Sequence, residues 1–594
     1  MKLPRLASIS AGRSTTDAFG GYNHNLRIGD GEWFDMKNMT SDFYPVMSPR
    51  GKRGVWRGAE DYIQGVVVNN GLCYVDGDLF YLPNGEAVGM GLTDGEKQIV
   101  SMGAYVIILP DKKWVNVAAC LDALEKGEQI PHDAYGEIDA SYTGSVDIKL
   151  CKADATVYGK DEITYDKPSA PSDGQLWIDR DSTTLVMKRW AAESNMWTVV
   201  QNVFTKITFP DTVENPFVKG DTVEISAGNF SQALLRFVTG KRLITEASDG
   251  YIIVESELPL AGTGVSSASL TIEKKMPDMD LVIESGNRLW GCKYGSTEKG
   301  FLNEIYASKL GDFKNWNSFQ GVSTDSYAAS IGEGGPFTGA VNYGGRPYFF
   351  KENCMIEVYG AYPAQYQVQT TPCKGVQAGC GKSLAVVNNV LFYKSIGGVC
   401  AFDGSLPTVI SSAFGTLNYK NAVGGGVGNK YYISMQGMYD EWNLFVYDTT
   451  KGFWHKEDDL RVVELVGYGN ELYGVSENRD EVIAMLGSIN RDESDIEWMV
   501  QSGEIGLSMP DAKYVTRLTV RMSMEEGSEV SFFVQYDFEE EWIHLCTIPG
   551  TSLRSFDIPI RPKRCDHMKL RLEGIGGAKI YSITKTIEQG SDVT

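Results

Sequence analysis

Short runs of alternating apolar and polar residues, separated by tight turns, make up most of the chain. Examples are GVVVNNGLCYVDGDLFYL at 65–82 and LAVVNNVLFYKSIGGVCAFDG at 384–404. Alternation with a period of two is typical of half-buried strands, and Asn-Asn, Gly-Asn or Asp-Gly between two such runs predicts a hairpin turn. The pattern predicts one interior helix, at 117–129. We therefore expect an almost entirely β protein.

A unit of three or four strands recurs about seven times with varying spacing. Radial repetition of four-stranded sheets around a hub produces such a pattern, with the first strand of each unit lining the hub. The sequence predicts an all-β fold, a β-propeller of about seven blades within a range of six to eight. An irregular set of β-sandwiches is the alternative. The repeated units lie at 65–82, 100–117, 281–316, 339–360, 384–404, 429–457 and 462–485.

Two blocks of the chain do not follow the repeat. One interrupts it between the second and third units, and the other follows it and alternates like a jelly-roll sandwich. The predicted division is an extended N-terminal arm at 1–60, a propeller at 61–117 and 277–489, an inserted β module at 118–276 and a C-terminal β-sandwich at 490–594.

The charge and the apolar runs of the chain exclude several classes of protein. A formal net charge of -22 argues against a nucleic-acid reader, because phosphate binding requires clustered Lys and Arg. The apolar runs are far shorter than the roughly 20 residues of a membrane-spanning helix. The N-terminus MKLPRLASISAGRS contains no apolar stretch of the kind found in secretion signals, so we expect synthesis in a cytoplasm.

Metal and cofactor sites are not predicted. The ten cysteines include no CxxC pair, and the five histidines include no HExxH or paired spacing. Scattered thiols of this kind are more often small core residues than ligands. We expect no metal and no cofactor.

The stretch VQAGCGKS at 376–383 is close to a nucleotide-binding loop. Such a loop needs Gly at its first position and a helix after the lysine, whose amides hold the phosphates. Here Val376 takes the first position, and the residues after Lys382 alternate like a hairpin. We expect a loop between blades, with Lys382 solvated.

Catalytic motifs are also missing from the pattern. No GxSxG nucleophile motif occurs, and adjacent carboxylates on a strand point to opposite faces, which does not suit a glycosidase pair. The hairpin with Trp177, Trp190 and Trp197 is a candidate contact for a glycan or a partner. The sequence favours the alternative, in which the three rings form a miniature core.

Three segments carry a resemblance to a known family. The segment FGGYNHNLRIGDGEWFDMKNMTSDFYPVMSPRGKRG at 19–54 resembles the openings of virion proteins from tailed bacteriophages and prophages. The segment PSAPSDGQLWIDRDSTTLVMKRWAAESNMWTVV at 168–200 looks like a module of phage tail and fibre proteins. The ending RPKRCDHMKLRLEGIGGAKIYSITKTIEQGSD at 561–592 is similar to the terminal sandwich of the β-propeller tail nozzle, or stabilisation, proteins of short-tailed phages.

The resemblance implies a structural subunit of a phage tail with no catalytic activity. Six copies would form a ring below the portal and adaptor, contact other tail proteins and fibres, and let DNA pass without sequence-specific binding. The expected location is the virion tail, after synthesis in the bacterial cytoplasm. A host-surface glycan-binding tail protein and a propeller-scaffold glycan hydrolase are the alternatives. As a hypothesis, acidic residues line the channel, namely Glu525, Glu526, Glu529, Glu539, Glu540 and Glu541.

Overall fold

The computed structural model is dominated by β-strands, as the sequence predicts. Its described residues contain one α-helix, α1 (Val117–Glu125), which begins where the Asn116 side chain accepts a hydrogen bond from the Ala119 N–H at 3.1 Å. None of its described helices is long and apolar enough to cross a membrane. The structure describes residues 11–159, 162–180, 185–228, 235–259, 267–297, 300–508 and 512–589.

The chain forms two compact units. Unit 1 comprises residues 1–97, 335–357 and 369–594, and unit 2 comprises residues 98–334 and 358–368. These units cut the chain at other places than the predicted domain boundaries, which stay a prediction. Four short 3-10 turns accompany the strands, at His132–Ala134, Pro363–Gln365, Gly381–Ser383 and Ser412–Phe414.

The N-terminal arm contributes six strands, which belong to several different sheets. They are β1 (Ala11–Thr16), β2 (Gly21–Tyr22), β3 (Glu32–Lys37), β4 (Met39–Thr40), β5 (Ser48–Pro49) and β6 (Gly54–Gly58).

The first two four-stranded sheets follow the arm, each built from strands that pair antiparallel in chain order. One consists of β7 (Ile63–Val68), β8 (Leu72–Asp76), β9 (Leu79–Tyr81) and β10 (Ala87–Gly89). The other consists of β11 (Gln98–Met102), β12 (Tyr105–Leu109), β13 (Lys113–Asn116) and β14 (Tyr135–Glu137), with α1 between its last two strands.

The insert that follows is a closed six-stranded barrel in the order β15-β20-β23-β22-β21-β24, with a small sheet β16-β17-β18-β19 inserted into it. The barrel interior is filled by buried apolar side chains, so it is a packed core. The ten strands are β15 (Ala140–Cys151), β16 (Ile163–Thr164), β17 (Leu176–Asp179), β18 (Val186–Ala191), β19 (Met196–Val199), β20 (Val203–Thr208), β21 (Thr222–Ala227), β22 (Gly240–Ser248), β23 (Tyr251–Ser256) and β24 (Ala268–Lys274).

Three more four-stranded sheets of the same type come next. The first is β25 (Leu281–Glu284), β26 (Leu289–Thr297), β27 (Gly300–Ala307) and β28 (Tyr327–Ser330). The second is β29 (Gly339–Tyr343), β30 (Arg346–Lys351), β31 (Cys354–Tyr359) and β32 (Gln367–Pro372). The third is β33 (Ala385–Val387), β34 (Val390–Ser395), β35 (Gly398–Phe402) and β36 (Thr408–Val409).

The sixth and seventh sheets both take up strands of the arm. The β37-β38-β39-β40 meander continues into the arm strands β2 and β3, and β43 pairs with β6, which completes the last sheet. Their strands are β37 (Tyr419–Val427), β38 (Lys430–Gly437), β39 (Trp442–Asp448) and β40 (Phe453–Lys456), then β41 (Val462–Tyr468), β42 (Glu471–Ser476) and β43 (Glu481–Ala484).

The C-terminal strands form a β-sandwich. One layer has the order β1-β50-β45-β48, and the other, β44-β49-β46-β47, extends the sixth sheet through β3 into ten strands. The strands are β44 (Glu497–Ser502), β45 (Lys513–Met524), β46 (Glu529–Tyr536), β47 (Ile543–Pro549), β48 (Arg554–Ile558), β49 (Met568–Ile575) and β50 (Ala578–Gln589).

The predicted fold class is therefore confirmed: the protein is an all-β protein with β-propeller blades, an inserted β module and a C-terminal sandwich. The hairpin turns also agree with the sequence. Asn388 and Asn389, between β33 and β34, both have positive φ (49° and 61°), which is the conformation that a two-residue hairpin turn requires.

In unit 1 the first strands of four successive sheets lie side by side, in the order β33, β37, β41 and β7. Glycine allows the close approach of β37 to β41. A Cβ atom at Gly425 would lie 2.7 Å from the Cβ of Leu465, and one at Gly467 would lie 2.5 Å from the Gly426 carbonyl oxygen. The glycine run GGGVGN at 424–429 is thus explained by strand packing.

Buried charges hold the arm in unit 1. Arg50 binds Glu493 with both Nη atoms at 2.7 Å, while Arg53 lies 2.6 Å from Asp458 and 2.6 Å from Glu457. The two arginine side chains are only 5% and 7% exposed. Burial opposes ionisation of Asp458, but the charges and hydrogen bonds of the arginines outweigh it and hold the pKa of this carboxyl below its ordinary value.

Replacing Arg53 should therefore destabilise the protein strongly. Arg53→Met would leave the carboxylates of Glu457 and Asp458 buried without one partner, and we expect a loss of about 3–5 kcal/mol in the free energy of unfolding. Lys52→Met is the matched control, because Lys52 pairs with Asp495 at 2.8 Å with both side chains exposed, and should cost under about 1 kcal/mol. Urea unfolding followed by tryptophan fluorescence measures both. Equal losses in the two variants would contradict a buried clamp.

Candidate functional site

The small sheet β16–β19 in unit 2 carries the three predicted site tryptophans, Trp177 on β17, Trp190 on β18 and Trp197 on β19. Successive side chains of a strand alternate between the two faces. In the register of this sheet Trp190 lies opposite Trp197, and Trp177 lies opposite Lys188, which is two positions from Trp190. All three indole rings therefore belong to one face of the sheet.

The opposite face of this sheet contains its hydrophobic core. Leu176 and Ile178 alternate with Trp177 along β17, so their side chains lie on the other side of the strand. The core members are Leu150, Ile163, Leu176, Ile178 and Met187. The expectation that the tryptophans form the miniature core is wrong, since aliphatic side chains take that place.

The three rings pack edge to face. The ring centroids of Trp177 and Trp197 are 5.4 Å apart, and those of Trp190 and Trp197 are 5.3 Å apart. Trp177 is 6% exposed, whereas Trp190 and Trp197 are partly exposed. Val199, on the same face as Trp197, is 57% exposed. The face thus presents an aromatic surface to solvent above a buried ring.

Cations and one carboxylate surround this aromatic surface. The Nζ atoms of Lys188 and Lys167 lie 5.2 Å and 5.3 Å from the centroid of Trp177, within range of a cation–π interaction. Lys188 also donates a hydrogen bond to Asp179 at 2.7 Å. Donors and acceptors therefore lie next to apolar rings, which is the composition of many small-molecule sites.

The predicted channel-lining glutamates lie in the C-terminal sandwich. They fall in the exposed turns before and after β46 and at its first residue. A strand of eight residues is about 26 Å long, so the two groups are separated by the length of that strand. Within one chain they do not form a continuous acidic surface, and their place in a channel stays a prediction. The first group is Glu525, Glu526 and Glu529, and the second is Glu539, Glu540 and Glu541.

The stretch that is close to a nucleotide-binding loop is a connection between blades. Gly381–Ser383 forms a single 3-10 turn, and β33 follows it in place of the helix that a phosphate site requires. Gly375 lacks room for any side chain, since a Cβ atom would lie 1.9 Å from the Lys351 carbonyl oxygen. Lys382 is not simply solvated as predicted, because its ammonium forms an ion pair with Glu96.

Metal ligands do not cluster in the part of the chain that the structure describes. No group of three or more His, Cys, Asp or Glu side chains there is arranged to hold an ion. Eight of the ten cysteines are buried and two are partly buried, as expected for core residues.

One buried polar group was not predicted from the sequence. His455 on β40 is 2% exposed, and neither ring nitrogen has a hydrogen-bond partner among the described residues. Burial, together with the nearby charge of Lys430, lowers the pKa of His455 to about 3, against the smaller opposite effects of Asp42 and Asp448. A lone histidine in a strand gives no sequence signal for such a position.

This histidine should make the protein sensitive to acid. Below pH 6.5 the unfolded chain gains a proton at His455 that the folded chain does not accept. The free energy of unfolding therefore decreases as the pH is lowered. We expect a loss of about 2 kcal/mol between pH 6.5 and about pH 4.5 that His455→Phe does not show. His132→Phe, at an exposed position, is the control and should keep the loss. Unfolding free energies at both pH values test this, and parallel pH curves for all three proteins would exclude it.

Comparisons with known proteins find similar chains only among solved structures. No family model matches the chain, and no curated protein matches it. Among solved structures, the chain is similar to an exo-β-1,3-galactanase of Phanerochaete chrysosporium at 8% identity, covering 51% of this chain and 94% of that one, with a TM-score of 0.19. An engineered GH43 glycoside hydrolase with endo-xylanase and exo-arabinofuranosidase activity matches at 9% identity, 52% and 96% coverage and a TM-score of 0.18. Trypanosoma rangeli sialidase matches at 9% identity, 97% and 96% coverage and a TM-score of 0.19.

These matches correct two expectations. The chain was expected to be a structural tail subunit and not an enzyme, whereas the matched proteins are named for acting on glycans and none of the three is a tail protein. At such low identities and TM-scores they carry no residue role over to this chain, so a function has to rest on its own side chains. The resemblance to phage proteins and the location in a virion are not tested by these matches and stay predictions.

Proposed function

We propose that this protein binds glycans through the tryptophan face of β16–β19. The observation that carries the proposal is the position of Trp190 and Trp197, partly exposed on the face opposite to the aliphatic core of their sheet. Core packing does not explain large aromatic rings on the solvent side of a sheet, and exposed apolar patches mark binding surfaces. The carbon-bound hydrogens of a sugar ring offer an apolar face of matching size.

The polar side chains beside the rings support the same ligand class. A sugar carries hydroxyl groups around its apolar face, and these need hydrogen-bond partners when the ring is bound. The Lys188–Asp179 pair and Lys167 supply donors and acceptors beside Trp177. Trp177 itself is buried, so it supports the exposed rings and is not the surface that a ligand meets.

Binding to a printed array of microbial and mammalian glycans tests the proposal. We expect the wild-type chain to bind at least one glycan, and Trp190→Ala and Trp197→Ala each to weaken that binding about five- to tenfold, because a stacked ring contributes roughly 1–1.5 kcal/mol. Trp442→Ala is the control, since Trp442 is partly exposed in unit 1, where Arg461 lies over its ring at 4.7 Å. A chain that binds no glycan, or binding unchanged in both variants, would refute the proposal.

We further propose that copies of the chain assemble with one another. A cleft of about 170 Å³ in unit 1, near Ser412 and Tyr419, is lined in part by Ile396 and Leu417, and further exposed apolar side chains lie on segments that reach its lining residues. Asn25 donates a hydrogen bond to the Ser412 carbonyl oxygen, which brings the arm to this cleft, and Tyr419 pairs with Gly437, next to Met438. Apolar patches of this kind support contacts between subunits. The side chains and their exposures are Leu26 (94%), Ile396 (65%), Leu417 (39%), Met438 (64%) and Tyr439 (94%).

The mass of the purified protein in solution tests self-assembly. We expect a closed assembly of about six copies, as a heterologous interface gives under cyclic symmetry, and dissociation to smaller species in Tyr439→Asp. Phe538→Asp is the control, because Phe538 is 89% exposed at the far end of β46, away from this cleft. Light scattering that shows a wild-type monomer at high micromolar concentration would exclude the assembly.

A further inference from the structure

A groove of about 390 Å³ lies on one face of the C-terminal sandwich, in unit 1. Its lining residues come from the neighbouring strands β3, β44, β49 and β46, and we call it the sandwich groove. The other face of these strands contributes Met36, Val500, Leu572 and Phe532 to the hydrophobic core. Because side chains alternate along a strand, the residues next to these four point away from the core. Packing of the core therefore does not determine which side chains line the groove.

The register of the strands aligns polar side chains in a row across the sheet. Lys37 lies opposite Met499, and Met499 lies opposite Glu573. Glu573 in turn lies opposite Ser531, whose Oγ is 2.8 Å from Oγ1 of Thr547 on the edge strand β47. Neighbouring strands are about 4.8 Å apart, so this row of side chains spans about 19 Å. A surface of this length suits an extended ligand.

A second row adds two carboxylates and an apolar side chain. Ile575 lies opposite Glu497 on one side and opposite Glu529 on the other. All three residues line the groove, and the Ile575 side chain is 38% exposed between the two glutamates. The groove thus combines acceptors at this end with an apolar floor.

Arg571 on β49 is the main donor of the groove. Its Nη2 forms an ion pair with the carboxylate of Glu573, two positions away on the same strand. Its guanidinium carbon lies 5.6 Å from the ring centroid of Trp542, which holds the side chain by a cation–π interaction. A guanidinium has five N–H donors, and an ion pair through one nitrogen uses at most two of them. The side chain is 31% exposed, so a ligand in the groove can contact it.

The mixture of charges in the groove selects the class of ligand. An anion would meet the carboxylates of Glu497, Glu529 and Glu573, and a cation would meet the ammonium of Lys37 and the guanidinium of Arg571. A hydroxyl group both donates and accepts, so neighbouring hydroxyls satisfy the cationic donors and the carboxylates together. Such hydrogen bonds to charged groups are stronger than those between neutral groups. An extended peptide pairs with the edge of a sheet, whereas the groove is on a face.

We propose that the sandwich groove binds a chain of uncharged sugars. Ring hydroxyls bind Arg571, Glu573 and Ser531, and the carbon-bound faces of the rings pack on Met499 and Ile575. The volume of the groove is within the range of roughly 300–1,000 Å³ that small-ligand sites have.

This site goes beyond glycan binding at the tryptophan face and does not depend on it. The sandwich groove lies in unit 1 and the tryptophan face in unit 2. Substitutions in the groove therefore leave the tryptophan face intact, and the reverse also holds. Binding that is lost only with the tryptophans, or only with the groove residues, distinguishes failure of one proposal from failure of the other.

Glycan-array binding of the full chain with Trp190→Ala and Trp197→Ala combined tests the groove. We expect this double variant to bind at least one uncharged glycan. Adding Arg571→Met should weaken that binding roughly 10- to 100-fold, the effect of losing a hydrogen bond to a charged group. Arg517→Met is the matched control, because Arg517 pairs with Asp557 at 2.7 Å in the other layer of the sandwich, and it should leave binding unchanged.

Ser531→Phe is a second variant that keeps Arg571 and its contact with Trp542. A ring at this position fills part of the groove and should abolish the binding that remains in the tryptophan double variant. The thermal midpoints show whether each variant is folded. No binding by the tryptophan double variant, or unchanged binding in the folded groove variants, overturns the proposal.

Acetylation of lysines shows where the glycan lies. A bound glycan should slow the reaction of the exposed Lys37 with acetic anhydride, and should not change that of Lys126 on α1, which is 57% exposed in unit 2. An unprotected Lys37 would contradict the site. A short oligolysine peptide tests the competing ligand class: binding of this peptide in place of glycans, and tighter in Arg571→Met, would assign the groove to a basic protein segment and overturn the proposal.

Discussion

The pairing of the N-terminal arm with strands from the far end of the chain is the constraint on which unit 1 depends. β2 and β3 stand between β40 and β44, β6 completes the sheet that begins with β41, and β1 pairs with β50. Each of these pairings gives hydrogen-bond partners to a strand edge that would otherwise be open. The order of the arm comes from the edges it fills, from the buried charges at Arg50 and Arg53, and from the apolar side chains, such as Trp33, that it adds to the core of unit 1.

The sequence predicts the hairpins between neighbouring strands but not the pairing of strands that are far apart in the chain. Hairpins such as the one at Asn388 and Asn389 follow from two turn residues and flanking alternation. The seven repeated units correspond to six four-stranded sheets and to the β37–β40 part of the ten-stranded sheet. The continuation of β40 through the arm into β44 joins segments hundreds of residues apart. Alternation gives the period of each strand but does not name its partner.

The candidate sites show the same limit. Trp177, Trp190 and Trp197 were predicted to be close together, and the register confirms it. The core of this sheet includes Leu150, which lies in the distant barrel strand β15, so the sequence alone favoured the tryptophans as the core residues. The lining residues of the sandwich groove have no motif in common, because only the pairing of strands brings β3, β44, β49 and β46 side by side.

Completion of the last sheet by β6 has a consequence for synthesis on the ribosome. Residues 54–58 are made more than 400 residues before their partner β43, so this blade cannot close until β43 has been synthesised. Over that interval β6 stays unpaired, with its strand edges open to wrong partners. The many polar and charged residues of the arm fit that interval, since they keep an exposed strand soluble until the final edge is available.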